Sequence, residues 1–199
     1  MGAQISMLES MQSVAVYCGS ATGNSPAYTQ AAQELGTELA RRGLNLVYGG
    51  GNIGLMREVA QACLAAGGTV TGVMPQSLVD LEISHPGLTT LEVVDSMAER
   101  KTRMEQLADA YICLPGGVGT LEELTEVLTL QQLGHIRGPV GLVNTADFWR
   151  PFYAMYAAMA ESGFILPRFV DALVMKEKPQ DILDEFSHWS YPGTKWDND

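Results

Sequence analysis

Short apolar runs recur along this chain of 199 residues, and most are followed by a turn and a run of helical periodicity. Val14 to Cys18, Leu44 to Tyr48, Thr69 to Met74, Thr90 to Val94, Ala110 to Leu114 and Val140 to Asn144 read as strands, and Leu173 to Met175 as a short last one. After the first strand, Ser25-Pro26 supply the N-cap and first position of a helix. Its Ala27, Ala31, Leu35 and Leu39 keep helical spacing, and Gly43 ends it. A second helix follows the Gly49 to Gly54 turn and stops at Gly67-Gly68. Residues 75 to 88 read as irregular or as carrying a short helix. Further helices are predicted over Ser96 to Ala108, Leu121 to about Gln132, Asp147 to Ser162 and Pro179 to Phe186.

Strands and helices that alternate through short connections build a parallel sheet covered by helices on both faces. The fold class is therefore α/β, a Rossmann-like doubly wound sheet in a single domain over residues 13–186. A loose lead-in, 1–12, precedes it, and a polar, mobile tail, 187–199, follows. Ligands of such sheets bind beyond the carboxyl ends of the strands. Glycine turns follow strands one, two and five, so three turns can converge on one cleft.

The most informative turn is Leu114-Pro115-Gly116-Gly117-Val118-Gly119-Thr120-Leu121-Glu122-Glu123. Its glycines let backbone approach a ligand closely, and the first amides of the following helix have no intrahelical partner. That arrangement suits an anion, most often a phosphate. Two carboxylates in the same turn are more than a phosphate cradle requires, and they suggest chemistry on a phosphorylated substrate. Thr120 and Glu123 also have the spacing of a capping box, a structural alternative that spacing alone favours. Against it, Glu123 shares a face with Val127 and Leu130, which turns it toward packed surface, whereas Glu126 lies on the more polar side and reads as structural. On the helix from Ser96, Arg100 falls on the apolar stripe of Met97, Met104 and Leu107, so its guanidinium should meet a carboxylate or a phosphate. Lys101 borders that face, and Arg103 points elsewhere and reads as solvated.

Several chemistries are excluded. A net charge of -11 argues against nucleic acid or an anionic membrane as partner. No apolar run is long enough to span a bilayer, and the start lacks a secretory pattern. Met1 to Ser6 fits the minimal myristoylation pattern, but a plain N-terminal tail is the simpler reading. Cys18, Cys63 and Cys113 are scattered and odd in number, as expected of core thiols in a reducing, cytoplasmic setting. The three histidines do not cluster, so no metal site is expected. Gly49-x-Gly51-x-x-Gly54 fits the dinucleotide fingerprint but lacks the acidic residue about twenty positions on, and reads as a second phosphate or ribose contact. There is no GxxxxGK[ST] and no GxSxG.

Together these residues resemble the Lonely Guy family of phosphoribohydrolases, whose members have often been labelled lysine decarboxylases. The resemblance runs from about Val14 to Phe186. It rests on PGGxGTxxE at Pro115 to Glu123, GGGxxGLM at Gly49 to Met56, CGSxxGxxPxY at Cys18 to Tyr28, and MHxRK at Met97 to Lys101. Ala98 stands where histidine is usual, and Arg57 where glycine is common. The resemblance implies hydrolysis of the N-glycosidic bond of a cytokinin (N6-substituted) nucleoside 5'-monophosphate or AMP, giving free base and ribose 5-phosphate. It implies Arg100 and Glu123 as the catalytic pair. Substrate contacts are implied at Glu82, Lys101, Gly116, Gly117, Val118, Gly119, Thr120, Glu122 and Thr129, with Ser20, Gly50 and Gly51 from the other glycine turns. It implies no cofactor, and a homodimer or larger homo-oligomer. The rival is a non-catalytic carrier of a nucleotide or of molybdenum cofactor. At a helix start Glu123 is expected to stay ionised, as base or electrostatic stabiliser.

Overall fold

In the computed structural model, which describes residues 11–81 and 84–197, seven strands alternate with helices. The strands are β1 (Ser13–Tyr17), β2 (Asn45–Tyr48), β3 (Val70–Pro75), β4 (Thr90–Val94), β5 (Ala110–Cys113), β6 (Val140–Val143) and β7 (Val174–Lys176). Each lies within one residue of its predicted bounds. The helices are α1 (Pro26–Arg41), α2 (Gly54–Ala65), α3 (Gln76–Val79), α4 (Met97–Leu107), α5 (Val118–Leu133), α6 (Arg150–Glu161), α7 (Pro167–Asp171) and α8 (Pro179–Phe186).

The strands form one parallel sheet in the order β4-β3-β2-β1-β5-β6-β7. The chain winds outward from β1 in one direction, then restarts at β5 on its other side, with Val14 paired to Ala110. The point between β1 and β5 is the topological switch, where the turns after these two strands splay apart and leave a crevice. Strand alternation sends Val14 and Val16 into a core with α1, α2 and α8. Ala15 and Tyr17 go into a second core with α4, α5, α6 and α7. Helices on both faces explain the continuous apolar character of the central strands.

Three differences from the sequence reading are informative. Helix α5 starts at Val118, not Leu121, with Gly117 as a cap that lends no side-chain bond. Helix α6 starts at Arg150, not Asp147, because Ala146 and Asp147 hold positive φ of 54° and 58° within a short 3-10 turn, Thr145–Asp147, and no α-helix runs through them. Helix α7 was not foreseen; Pro167 at its start was the available signal.

At the ends of the chain, residues 1–10 lie outside the described part, including the myristoylation pattern. The amides of Gln12 and Ser13 donate to the Asp109 carboxylate. The segment after Ser187, expected to be mobile, is laid along the C-terminal end of α5. Tyr191 donates to the Gln131 carbonyl at 3.2 Å and the Lys195 amide to that of Gln132 at 2.8 Å. Trp189 donates to Ala172, and Arg168 to the carbonyls of Thr194 and Asp197. Among the described residues no helix is long and apolar enough to cross a membrane.

Candidate active site

A cavity of about 510 Å³ opens at the switch point, between the start of α5, the start of α4 and the loop leaving β1. Its floor is the N-terminus of α5. No side chain caps that end, so the amides of its first turn face the cavity and suit an anion. The capping box between Thr120 and Glu123 does not form. Because the helix begins three residues early, Glu123 stands more than a turn inside it, facing the cavity, and Thr120 is buried.

Helix α4 brings the cations. Ser96 caps it by accepting from the Glu99 amide at 3.1 Å, and Glu99 accepts in return from the Asp95 amide. This box, Ser96-x-x-Glu99, fixes the helix start and so places Arg100 over the cavity. The guanidinium donates from Nε to the Val73 carbonyl at the end of β3, at 3.2 Å, and Nη2 lies 3.9 Å from Glu123 Oε1. Both side chains are only 12% exposed, so the pair is nearly dry yet too far apart for a direct hydrogen bond. Gly49 makes this placement possible: a Cβ built there would stand 1.7 Å from Arg100 Nη2. The sequence reading counted Gly49 as part of a turn and missed this role.

Burial raises the Glu123 carboxyl to about 7. Arg100 pulls the other way, Glu122 pushes it up, Lys101 lowers it and Glu126 raises it. The expectation of a carboxylate ionised by the helix dipole is thereby corrected. Desolvation outweighs the dipole, and at neutral pH the group is poised between acid and base. Cys18 and Cys113 lie close enough to feel its charge, and burial raises both thiols.

Lys101 is already occupied. Its ammonium is clasped by Glu122 and by Glu126 Oε2, the latter at 2.8 Å, and these bonds hold it protonated. Glu126 therefore serves the site's charge balance. Arg103, expected to be solvated, pairs with Glu92 of β4 at 2.5 Å.

The remaining sequence candidates divide. Ser20, Gly117, Val118, Gly119, Thr120 and Glu122 line the cavity with Arg100, Lys101 and Glu123, as do the unforeseen Cys18, Met56, Met97 and Ala98. Gly116 lies one step back, in an adjoining pocket. Gly50 and Gly51 do not line the cavity; the Gly50 carbonyl accepts from the His85 amide, and that of Gly51 from Tyr48. Thr129 is exposed on the far half of α5, its hydroxyl bonded to the Thr125 carbonyl. Glu82 lies outside the described residues. Of the two departures from the family motifs, Ala98 borders the cavity, while Arg57 points outward to Glu58 at 2.8 Å.

Known proteins resemble this chain in sequence and in fold. The profile of a family described as "possible lysine decarboxylase" matches residues 56–186. A rice (Oryza sativa subsp. japonica) protein named cytokinin riboside 5'-monophosphate phosphoribohydrolase LOG is 42% identical over 93% of this chain and 78% of its own. A Rhodococcoides fascians protein named cytokinin riboside 5'-monophosphate phosphoribohydrolase is 46% identical over 78% of this chain and 79% of its own. Among solved structures, a molybdenum cofactor binding protein from Rippkaea orientalis superposes with a TM-score of 0.68 at 20% identity, covering 89% of this chain and 96% of its own. The molybdenum cofactor carrier protein of Chlamydomonas reinhardtii gives 0.66 at 19%, over 89% and 97%. At such identities the structures speak to the fold alone. The sequence matches reach further: this chain belongs to the Lonely Guy family of phosphoribohydrolases.

Proposed function

We propose that the protein hydrolyses the N-glycosidic bond of a nucleoside 5'-monophosphate, AMP or an N6-substituted cytokinin nucleotide, releasing the base and ribose 5-phosphate. The observation that carries this reading is the dry Arg100–Glu123 pair beside an uncapped helix start. The amides of Gly117 to Thr120 hold the 5'-phosphate, which supplies binding energy remote from the bond that breaks. Arg100 anchors the ribose phosphate and faces the leaving base. Glycosidic cleavage passes through a cationic, oxocarbenium-like sugar, which an adjacent carboxylate stabilises. Ionised Glu123 does this and orients the attacking water. With its pKa near neutrality, it accepts the proton that the water gives up, and the departing base nitrogen takes up one proton in turn, so that water is divided between sugar and base.

A carrier has no use for a buried carboxylate held away from its arginine, so the geometry favours turnover over the carrier reading. Met97, Val118 and Leu121 remain 49%, 84% and 37% exposed near the mouth of the cleft, which supports a homodimer covering it. A nucleotide substrate and three buried free thiols fit a cytoplasmic setting.

The test is to incubate the pure protein with AMP, N6-isopentenyl-AMP and the matching nucleosides and to measure free base. The nucleotides are cleaved and the nucleosides hardly at all. Equal rates on nucleoside and nucleotide would sink the phosphate assignment, and tight binding without base release would sink the enzyme.

A further inference from the structure

Past Gly117 the cleft continues into a smaller cavity of about 220 Å³ that the hydrolysis of a monophosphate leaves unused. It shares Gly19, Ser20 and Gly117 with the main cleft, and its other walls include Ala21, Tyr28, Leu55, Pro115 and Phe148. None of its lining residues carries a charge.

The two rings that form its wall are held there by the backbone. Tyr28 meets Phe148 edge-on, with centroids 6.1 Å apart and planes at 78°. Gly23 (φ 74°) lets the tyrosine ring in close, since a Cβ there would stand 2.6 Å from Tyr28 Cδ2. Phe148 follows Ala146 and Asp147, the two left-handed non-glycine residues among those described, and such conformations persist only when their surroundings enforce them. Here Asn144 donates to the Asp147 carboxylate at 3.1 Å and accepts from the Trp149 amide at 2.9 Å, while Trp149 itself is buried. The strained turn leaves Phe148 37% exposed at the rim of a concavity.

We propose that this lobe receives an uncharged planar group esterified to the phosphate on the Gly117–Thr120 turn, so that the cleft binds nucleoside 5'-phosphodiesters as well as monoesters. The inference rests on the phosphate placement proposed above. Position decides the side: Arg100, Lys101 and Glu123 all line the main cleft and none lines the lobe, so sugar and base lie on one side of the phosphate turn. A group in the lobe then lies on the other. Charge decides the class: no cation is present to meet a second phosphate, whereas two aromatic rings and a proline suit a ring.

The experiment compares the methyl and benzyl phosphodiesters of AMP, which carry the same charge, by calorimetric titration. The benzyl ester binds roughly tenfold more tightly than the methyl ester, the gain expected from burying one aromatic ring. Phe148→Ala, which removes the wall, and Ala21→Trp, which fills the lobe from its exposed rim, each bring the ratio close to one. Equal affinities in the wild type, or a benzyl preference that survives both variants, would overturn the proposal. So would a Phe148→Ala protein whose changed preference is for N6-benzyl-AMP over AMP, since the lobe would then belong to the base. Base release from AMP is measured alongside. A benzyl preference without any base release defeats the hydrolase reading and leaves the lobe standing.

Discussion

Two arginine–glutamate groups in this molecule are built from the same chemistry and end in opposite states. On α1, Glu38 receives Arg41 at 2.6 and 2.7 Å and Arg42 at 2.6 Å, and Arg42 reaches on to Asp184 of α8 at 2.7 Å. Hydrogen bonds from Arg41 lead in holding the Glu38 carboxyl below the ordinary range. In the cleft, Glu123 has one arginine, at 3.9 Å, and burial holds its carboxyl up near 7. The difference lies in what the backbone allows. Glu38 and its arginines sit within one turn and close on each other freely. Arg100 is tied back to the Val73 carbonyl and wedged over Gly49, so it stops short of Glu123. A satisfied ion pair joins two helices; a withheld one leaves a buried carboxyl that titrates near neutrality.

The largest effect that separates the two comes from removing each carboxylate. Glu123→Gln lowers kcat by on the order of 10²-fold or more. It also raises the melting temperature at pH 8, because folding no longer buries a carboxylate. The sign follows from the raised pKa: the ionised group opposes folding, progressively so as pH rises from its unfolded value of about 4.5 through 7. A Glu123→Gln protein with wild-type turnover would remove the carboxylate from the mechanism.

Next in size is Gly49→Ala. The new methyl displaces Arg100 and lowers kcat/KM by roughly tenfold or more, since small misplacements of a positioning group are costly. Combining it with Arg100→Ala adds little beyond Arg100→Ala alone, as expected of two changes acting through one side chain. Full additivity would mean that Gly49 matters for another reason.

A third measurement is the pH profile. With the carboxylate as the working form, kcat/KM rises with pH through a limb near 7 and falls about tenfold per unit well below it. A limb near 4.5 would show that Glu123 is solvated in the free enzyme and that the contrast with Glu38 is overdrawn.

The smallest effect on activity belongs to Glu38→Gln, which leaves kcat/KM unchanged while lowering stability by about 1 kcal/mol. That loss is seen at neutral pH and shrinks as pH falls through the depressed Glu38 pKa, where the wild-type carboxylate is itself protonated.

Much of the fold and the cleft's half of this contrast were legible in the sequence, and the part that was not has a physical cause. The strands were found because short, mostly apolar runs beside turn residues have few alternatives. Glu123 was singled out by its apolar neighbours on the same helix face, and Arg100 by its place on an apolar stripe. The proton affinity of Glu123 is not legible in the sequence because it is set by burial in a cleft that only the tertiary fold assembles. Val118 and Gly119 are poor helix formers, so the sequence carries no sign that the helix reaches back to them. Gly49 escaped because its purpose is set by a side chain 51 positions away. The Tyr28–Phe148 wall joins the start of α1 to the loop after β6, and their meeting depends on sheet order, which no local pattern records.

The strap that follows Ser187 gives this chain an unusual vulnerability. Tyr191 and Lys195 occupy carbonyls at one end of α5, and the proposed phosphate site lies at the other, about 24 Å away along a helix of sixteen residues. An exopeptidase that trims the protein to Phe186 touches nothing in the cleft, yet it strips the far end of the rod on which the cleft is mounted. Trimming the strap frees the Gln131 and Gln132 carbonyls, while the buried Leu124, Val127 and Leu128 still hold α5 against the sheet.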